Sequence, residues 1–318
     1  MTGPSVVGLI RQAATTLTFG KDERPRAVYR AIAPLLVAIV GLIAGNAVAT
    51  LLTSEGSEAA QVVESIAAAV VVLSGLAVTA HYFDGRSLVD YGFKQTRKWA
   101  VNAIVGGLAG VTAVSIAFGI GMATGSFHVV EVVSVGDVPS LLPALAVAMV
   151  SFVAVSVLEE TVFRGAVLTN VAEGLATRSL GTPAALGGAW LISTVVFGVL
   201  HGPLASLPSG ATQIGMFVVW TTAGGVFGVA YLLTGELALP IGLHTGVNWA
   251  ANYLFLGTAE PTLFRVEFQN RALWHPIAGL PLLTGLVLAV CLIAGYTWQR
   301  NDLGLHEPIL QASEKRPD

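Results

Sequence analysis

Two adjacent carboxylates and a guanidinium, Glu159, Glu160 and Arg164, stand in a run from Pro143 to Ala172 that is otherwise mostly Ala, Val, Leu, Ser and Gly. An ionisable side chain at membrane depth costs roughly 2.5 to 3.5 kcal/mol on insertion scales, so by default it marks a functional site. If the run is helical, Glu160 and Arg164 lie four residues apart on one face, acidic member first, the orientation that favours an ion pair. Glu159 is turned about 100° away from that pair. It is the carboxylate without a local partner, and such a group in a low-dielectric site is suited to act as a general base. The plainer alternative is a structural ion pair plus a spare acid lining a water pocket, and this motif alone leaves both readings open.

Of the six histidines, His81, His128, His275 and His306 fall at span ends, in loops or in the tail. His201 closes Phe197-Gly198-Val199-Leu200-His201, and His244 opens His244-Thr245-Gly246-Val247-Asn248, both in apolar surroundings. The spacing of four puts Phe197 with His201, and His244 with Asn248, on one helix face each. A single buried histidine is more often a hydrogen-bonded structural residue than a catalytic one. Three apolar segments that each carry polar groups are different, because their insertion costs add and packing does not require them. A shared polar cavity is the expectation. With straight spans, Glu159 and His244 fall near mid-helix and His201 nearer an outer end, and Gly202-Pro203 should break or kink the helix there.

The elements that must position these residues follow from composition. Hydrophobic residues make up 54% of the chain and charged residues 11%, with a mean hydropathy of +0.75, far from the soluble average. The expected fold class is an all-α membrane protein, a bundle of about eight transmembrane helices. Taking about 20 apolar residues per crossing, the spans lie near 30–53, 60–83, 99–123, 143–172, 184–207, 212–234, 237–257 and 276–298. The domain reading is a cytoplasmic N-terminal segment over 1–29, one helical bundle over 30–298 and a cytoplasmic tail over 299–318. Arg11, Lys21, Arg24, Arg26 and Arg30 before the first span, and Arg86, Lys94, Arg97 and Lys98 after the second, place those segments on the cytoplasmic side of the cell membrane. An even span count returns the C-terminus to the same side. Met1 to Phe19 holds only the short apolar patch Val6 to Ile10, so the first span is expected to serve as an uncleaved anchor. The small-residue pairs Gly41/Gly45, Gly106/Gly110 and Gly224/Gly228 read as helix-packing features, and Asn46 and Asn102 as interhelical hydrogen-bonding groups. A net charge of −3 with no extended basic patch gives no sign of a nucleic-acid partner. The one cysteine, Cys291, can form neither an internal disulfide nor a CxxC clip.

Glu-Glu-x-x-x-Arg, Phe-x-x-x-His and His-x-x-x-Asn, in that order and in separate apolar segments, resemble the CAAX protease and bacteriocin-processing (CPBP, or Abi) family of intramembrane endopeptidases, with a core from about 142 to 251. The stretch Leu88 to Trp99, with Tyr91-Gly92-Phe93, is more loosely similar to that family's lead-in. The resemblance implies an endopeptidase acting on a membrane-embedded or membrane-bound polypeptide. It makes Glu159 the residue that activates water, His201 its assistant, and His244 with Asn248 the pair that stabilises the oxyanion. Glu160 and Arg164 would hold the glutamate helix, and Phe197 would pack. These residue types suit peptide hydrolysis, which needs a base, oxyanion donors and an acid for the leaving amine.

No cofactor is favoured. Zinc held by Glu159, His201 and His244 is the alternative, since three protein ligands and a water make a catalytic zinc site. Against it, there is no His-Glu-x-x-His helix, and a ligating Glu159 would leave the base role to Glu160, which is expected to pair with Arg164. The competing classes are an ion- or proton-coupled transporter, whose paths are also lined by buried Glu, His and Asn, and a non-catalytic immunity or scaffold protein. Nothing in the chain indicates whether a substrate would be prenylated.

Overall fold

The computed structural model describes residues 18–20, 24–54, 57–94, 96–178, 180–202 and 207–300. Most of the expected N-terminal segment, Pro203, His306 and the tail after Arg300 lie outside the described residues. The chain forms α1 (Ala27–Leu52), α2 (Glu58–Thr79), α3 (Arg97–Thr124), β1 (Phe127–Ser134), α4 (Leu141–Glu160), α5 (Thr169–Ala176), α6 (Thr182–His201), α7 (Gln213–Thr234), α8 (Ala238–Trp249), β2 (Thr262–Phe268) and α9 (Leu280–Gln299). π-helical turns continue three of these helices, at Ala80–Asp84, Thr161–Leu168 and Ala250–Phe255. Local chemistry sets several boundaries. The Thr96 hydroxyl accepts the Trp99 N–H at the start of α3, and the Thr212 hydroxyl accepts the Gly215 N–H at the start of α7. Both helices end on a left-handed glycine, Gly125 and Gly235.

The protein is an integral multi-pass membrane protein. Seven helical segments among the described residues are long and apolar enough to cross a bilayer. The expected span near 237–257 is helical too, but α8 is short, carries His244, Thr245 and Asn248, and is buried from Ala238 to Val247. Enclosed by its neighbours, α8 has no need of a lipid-compatible surface, and so tolerates the polar groups the chemistry requires. The fifth span, expected to reach residue 207, stops at His201, capped by Gly202. One departure from an all-helical reading is the antiparallel pairing of β1 with β2, with Phe127 opposite Phe268 and Ser134 opposite Thr262. This pairing brings the loop after α3 and the loop before α9 to one end of the bundle. There the Arg271 guanidinium reaches the Thr124 carbonyl, and His275 Nε2 lies 3.1 Å from the Ser209 carbonyl.

At the other end a charged cluster ties three parts of the chain together. Glu173 receives Arg24 at 2.5 Å, Arg30 at 3.0 Å and Arg86 at 3.1 Å. Asn170 and the Tyr91 hydroxyl both donate to Asp84. Burial, with the Asp84 carboxylate beside it, pushes the Tyr91 phenol above its usual range, so Tyr91 remains a donor. Arginines read from the sequence as orientation signals are therefore also structural ties, and Arg30 is buried.

Glycines govern how α8 is held. A Cβ on Gly106 would sit 2.2 Å from the Leu239 carbonyl oxygen, and one on Gly242 would sit 1.9 Å from that of Ala103. Only hydrogen in place of a side chain permits this backbone approach, which clamps α8 onto α3. Gly41/Gly45 and Gly224/Gly228 likewise face α2 and α6 closely. Asn102 bonds Glu236 and accepts from the Tyr296 hydroxyl, as an interhelical group should. Asn46 does not fit that expectation: it lies on the exposed face of α1.

The charge distribution predicts that both termini are cytoplasmic. Reporter domains fused at Asp137, just beyond β1, and at Asp318 should report opposite sides of the membrane. The same side for both would refute that topology.

Candidate active site

The site lies where α4, the π turn after it, α6, α7 and α8 meet. The helical run Leu141–Ala176 covers 36 residues, about 54 Å at 1.5 Å per residue, so it overhangs its shorter neighbours. That stagger answers the question of depth left by straight spans. His201, the last residue of α6, stands beside Glu159, its Nε2 3.4 Å from Glu159 Oε2.

Directly after Glu160 the helix widens into the π turn Thr161–Leu168, a feature that recurs at functional sites. The expected pair survives the widening: Arg164 donates to Glu160 Oε1 at 2.9 Å, and both side chains are fully buried. A second Arg164 nitrogen donates to the Gly224 carbonyl at 2.7 Å. The guanidinium lies 4.6 Å from the Phe197 ring centre, 5.4 Å from that of Phe227 and 5.8 Å from that of Phe163. These faces stabilise a cation that has been taken out of water.

Glu160 has a second partner that spacing does not reveal. His244 Nδ1 lies 2.8 Å from the same Oε1. A carboxylate paired with arginine can only accept, so His244 Nδ1 carries a hydrogen. His201 behaves in parallel: its Nδ1 lies 2.7 Å from the Phe197 carbonyl oxygen, which also only accepts. Both Nε2 atoms turn toward Glu159, whose Oε2 is 3.4 Å from that of His201 and 3.9 Å from that of His244. These separations exceed a good hydrogen bond, and Glu159 Oε2 is buried with no hydrogen-bond partner. Glu159 Oε2 and the two Nε2 atoms therefore converge on one place, an arrangement that suits a small polar molecule.

Aromatic rings fix the imidazole planes. Phe197 stacks on His201 at 4.1 Å between centroids, and Phe227 stacks on His244 at 4.6 Å and 18°. Phe197 is thus more than packing, since it touches His201 and Arg164 and supplies the carbonyl that sets a tautomer. Phe227 and the Gly224 carbonyl were not singled out in the sequence. The available signal was a lone large ring in the small-residue run Ala223-Gly224-Gly225-Val226-Phe227-Gly228. Asn248 follows His244 by one turn and is half-buried, on the helix that carries the site.

Among the described residues, no group of three or more His, Cys, Asp and Glu side chains is arranged to hold a metal ion.

Residues 140–250 match the family described as Rce1-like, type II CAAX prenyl endopeptidase. The match runs from the start of α4 to the end of α8 and contains all seven residues singled out above. It agrees with the resemblance carried by the three motifs and supports a CAAX-protease-like hydrolase. No curated protein and no solved structure matches the chain.

Proposed function

We propose that this chain, whose residues 140–250 carry the Rce1-like core, is an intramembrane endopeptidase that hydrolyses a peptide bond of a membrane-embedded or membrane-bound polypeptide without a metal. The observation that carries this reading is the convergence of Glu159 Oε2 and two imidazole Nε2 atoms on one buried place. A water bound there donates one hydrogen to Glu159 and the other toward an imidazole. Glu159 takes the first proton as the oxygen attacks the substrate carbonyl, a step of general base catalysis. The carbonyl oxygen becomes an oxyanion, and Asn248 donates to it. His201, held by Phe197, orients the water.

The first test is product analysis. Purified protein is incubated with a library of membrane peptides, and products are read by mass spectrometry. Cleavage at defined bonds is expected, and it should survive exhaustive chelation. Asn248→Ala should retain the fold and lose about 10² to 10³ in turnover, as when one oxyanion donor is removed. Activity lost on chelation and restored by zinc would overturn the metal-free mechanism while leaving the site in place.

A further inference from the structure

The arrangement around His244 points to a role other than an oxyanion contact. A neutral His244 with its hydrogen on Nδ1 offers only a lone pair at Nε2, so it cannot donate to an oxyanion. Its Nδ1 is held by Glu160 at 2.8 Å, its plane is held by Phe227, and its free edge faces Glu159. A carboxylate on one imidazole nitrogen, with the other nitrogen facing the reacting centre, is the arrangement by which serine-protease triads fix a tautomer and stabilise an imidazolium. From this geometry we infer that His244 carries the proton from Glu159 to the leaving amine, and that Glu160 is the positioning residue that makes it able to do so.

The step rests on the peptidase reading above. Glu159 takes a proton from water while the water oxygen forms its bond to the carbonyl carbon, whose π electrons move to oxygen. Glu159 passes that proton to His244 Nε2, closing the present 3.9 Å gap as catalytic contacts tighten around substrate. The imidazolium then keeps Nδ1–H on Glu160 and gives Nε2–H to the amide nitrogen as the C–N bond breaks. The products are a carboxylic acid and an amine, and both glutamates and His244 return to their starting states. The charged and titratable groups facing His244 are Glu159 and Glu160 from α4, Arg164 from the π turn and His201 from α6. Arg164 holds the Glu160 carboxylate in place; α3 and α7 present glycine backbone and Phe227.

An amide nitrogen must be protonated to leave, whereas the alkoxide of an ester leaves with far less help. The experiment therefore compares a library peptide that the wild type cleaves with the same peptide carrying an ester at the scissile bond. Glu160→Gln should lose about 10² to 10⁴ in amide turnover, the scale seen when a triad carboxylate becomes an amide, and less than about tenfold on the ester. Because Glu160→Gln alone leaves Arg164 unpaired, Glu160→Gln with Arg164→Met is measured in parallel and should show the same split. Nitrogen NMR of ring-labelled histidine should find the wild-type His244 hydrogen on Nδ1 and lose that preference in both variants. Equal losses on amide and ester, or a wild-type hydrogen on Nε2, would overturn the inference. A Glu159→Gln protein that still cuts at the wild-type rate would instead sink the peptidase reading, and this step with it.

Discussion

Glu159→Gln should abolish peptide cleavage, lowering turnover by about 10² to 10⁴ or more, the range general acid–base groups contribute, while the protein folds as before. The amide keeps the size of the carboxylate and cannot accept the proton of the attacking water. The fold should be indifferent because Glu159 makes no buried ion pair comparable to that of Glu160, and its side chain is 20% exposed. Turnover on a library substrate and a thermal unfolding curve, measured on the same preparation, check the two halves of this expectation. Wild-type turnover in Glu159→Gln would remove the basis for calling the chain an enzyme. A variant that fails to fold would show that the carboxylate holds the bundle together, and the site would then have to be judged on His201 and Asn248.

Arg164→Ala, in contrast, should lose stability first, by about 3 to 5 kcal/mol, the cost of stranding one member of a buried pair. Among the described residues, Glu160 would be left with His244 as its hydrogen-bonding side chain, and the Gly224 carbonyl would lose its side-chain donor. The ring cage of Phe163, Phe197 and Phe227 would close on a void. Glu160→Gln with Arg164→Met removes both charges and refills that volume, so it should recover part of the loss. Thermal unfolding in detergent and membrane-inserted yield measure this directly. An Arg164→Ala protein as stable as the wild type would mean that the pair adds nothing to the bundle.

These two substitutions also mark how far the sequence reaches by itself. Glu160 and Arg164 were legible as a pair because four-residue spacing is a property of one helix, and it held through a π turn that the sequence did not announce. The membrane class was equally legible, because the cost of placing backbone and charge in hydrocarbon leaves few alternatives to helices with apolar surfaces. Phe197 with His201, and His244 with Asn248, belong to the same kind of local knowledge.

Tertiary structure decided everything that depends on stagger. The level of His201 relative to Glu159 follows from a 36-residue helical run overhanging its neighbours, and hydropathy measures length without offset. The His244 contact with Glu160 joins residues 84 apart in sequence and exists because glycines let α3 and α8 approach at backbone distance. The choice of tautomer for both histidines, and so the division of labour between donor and acceptor, rests on which oxygen each Nδ1 meets. Spacing along one helix states which side chains share a face. Only the packing of helices on one another states what that face meets.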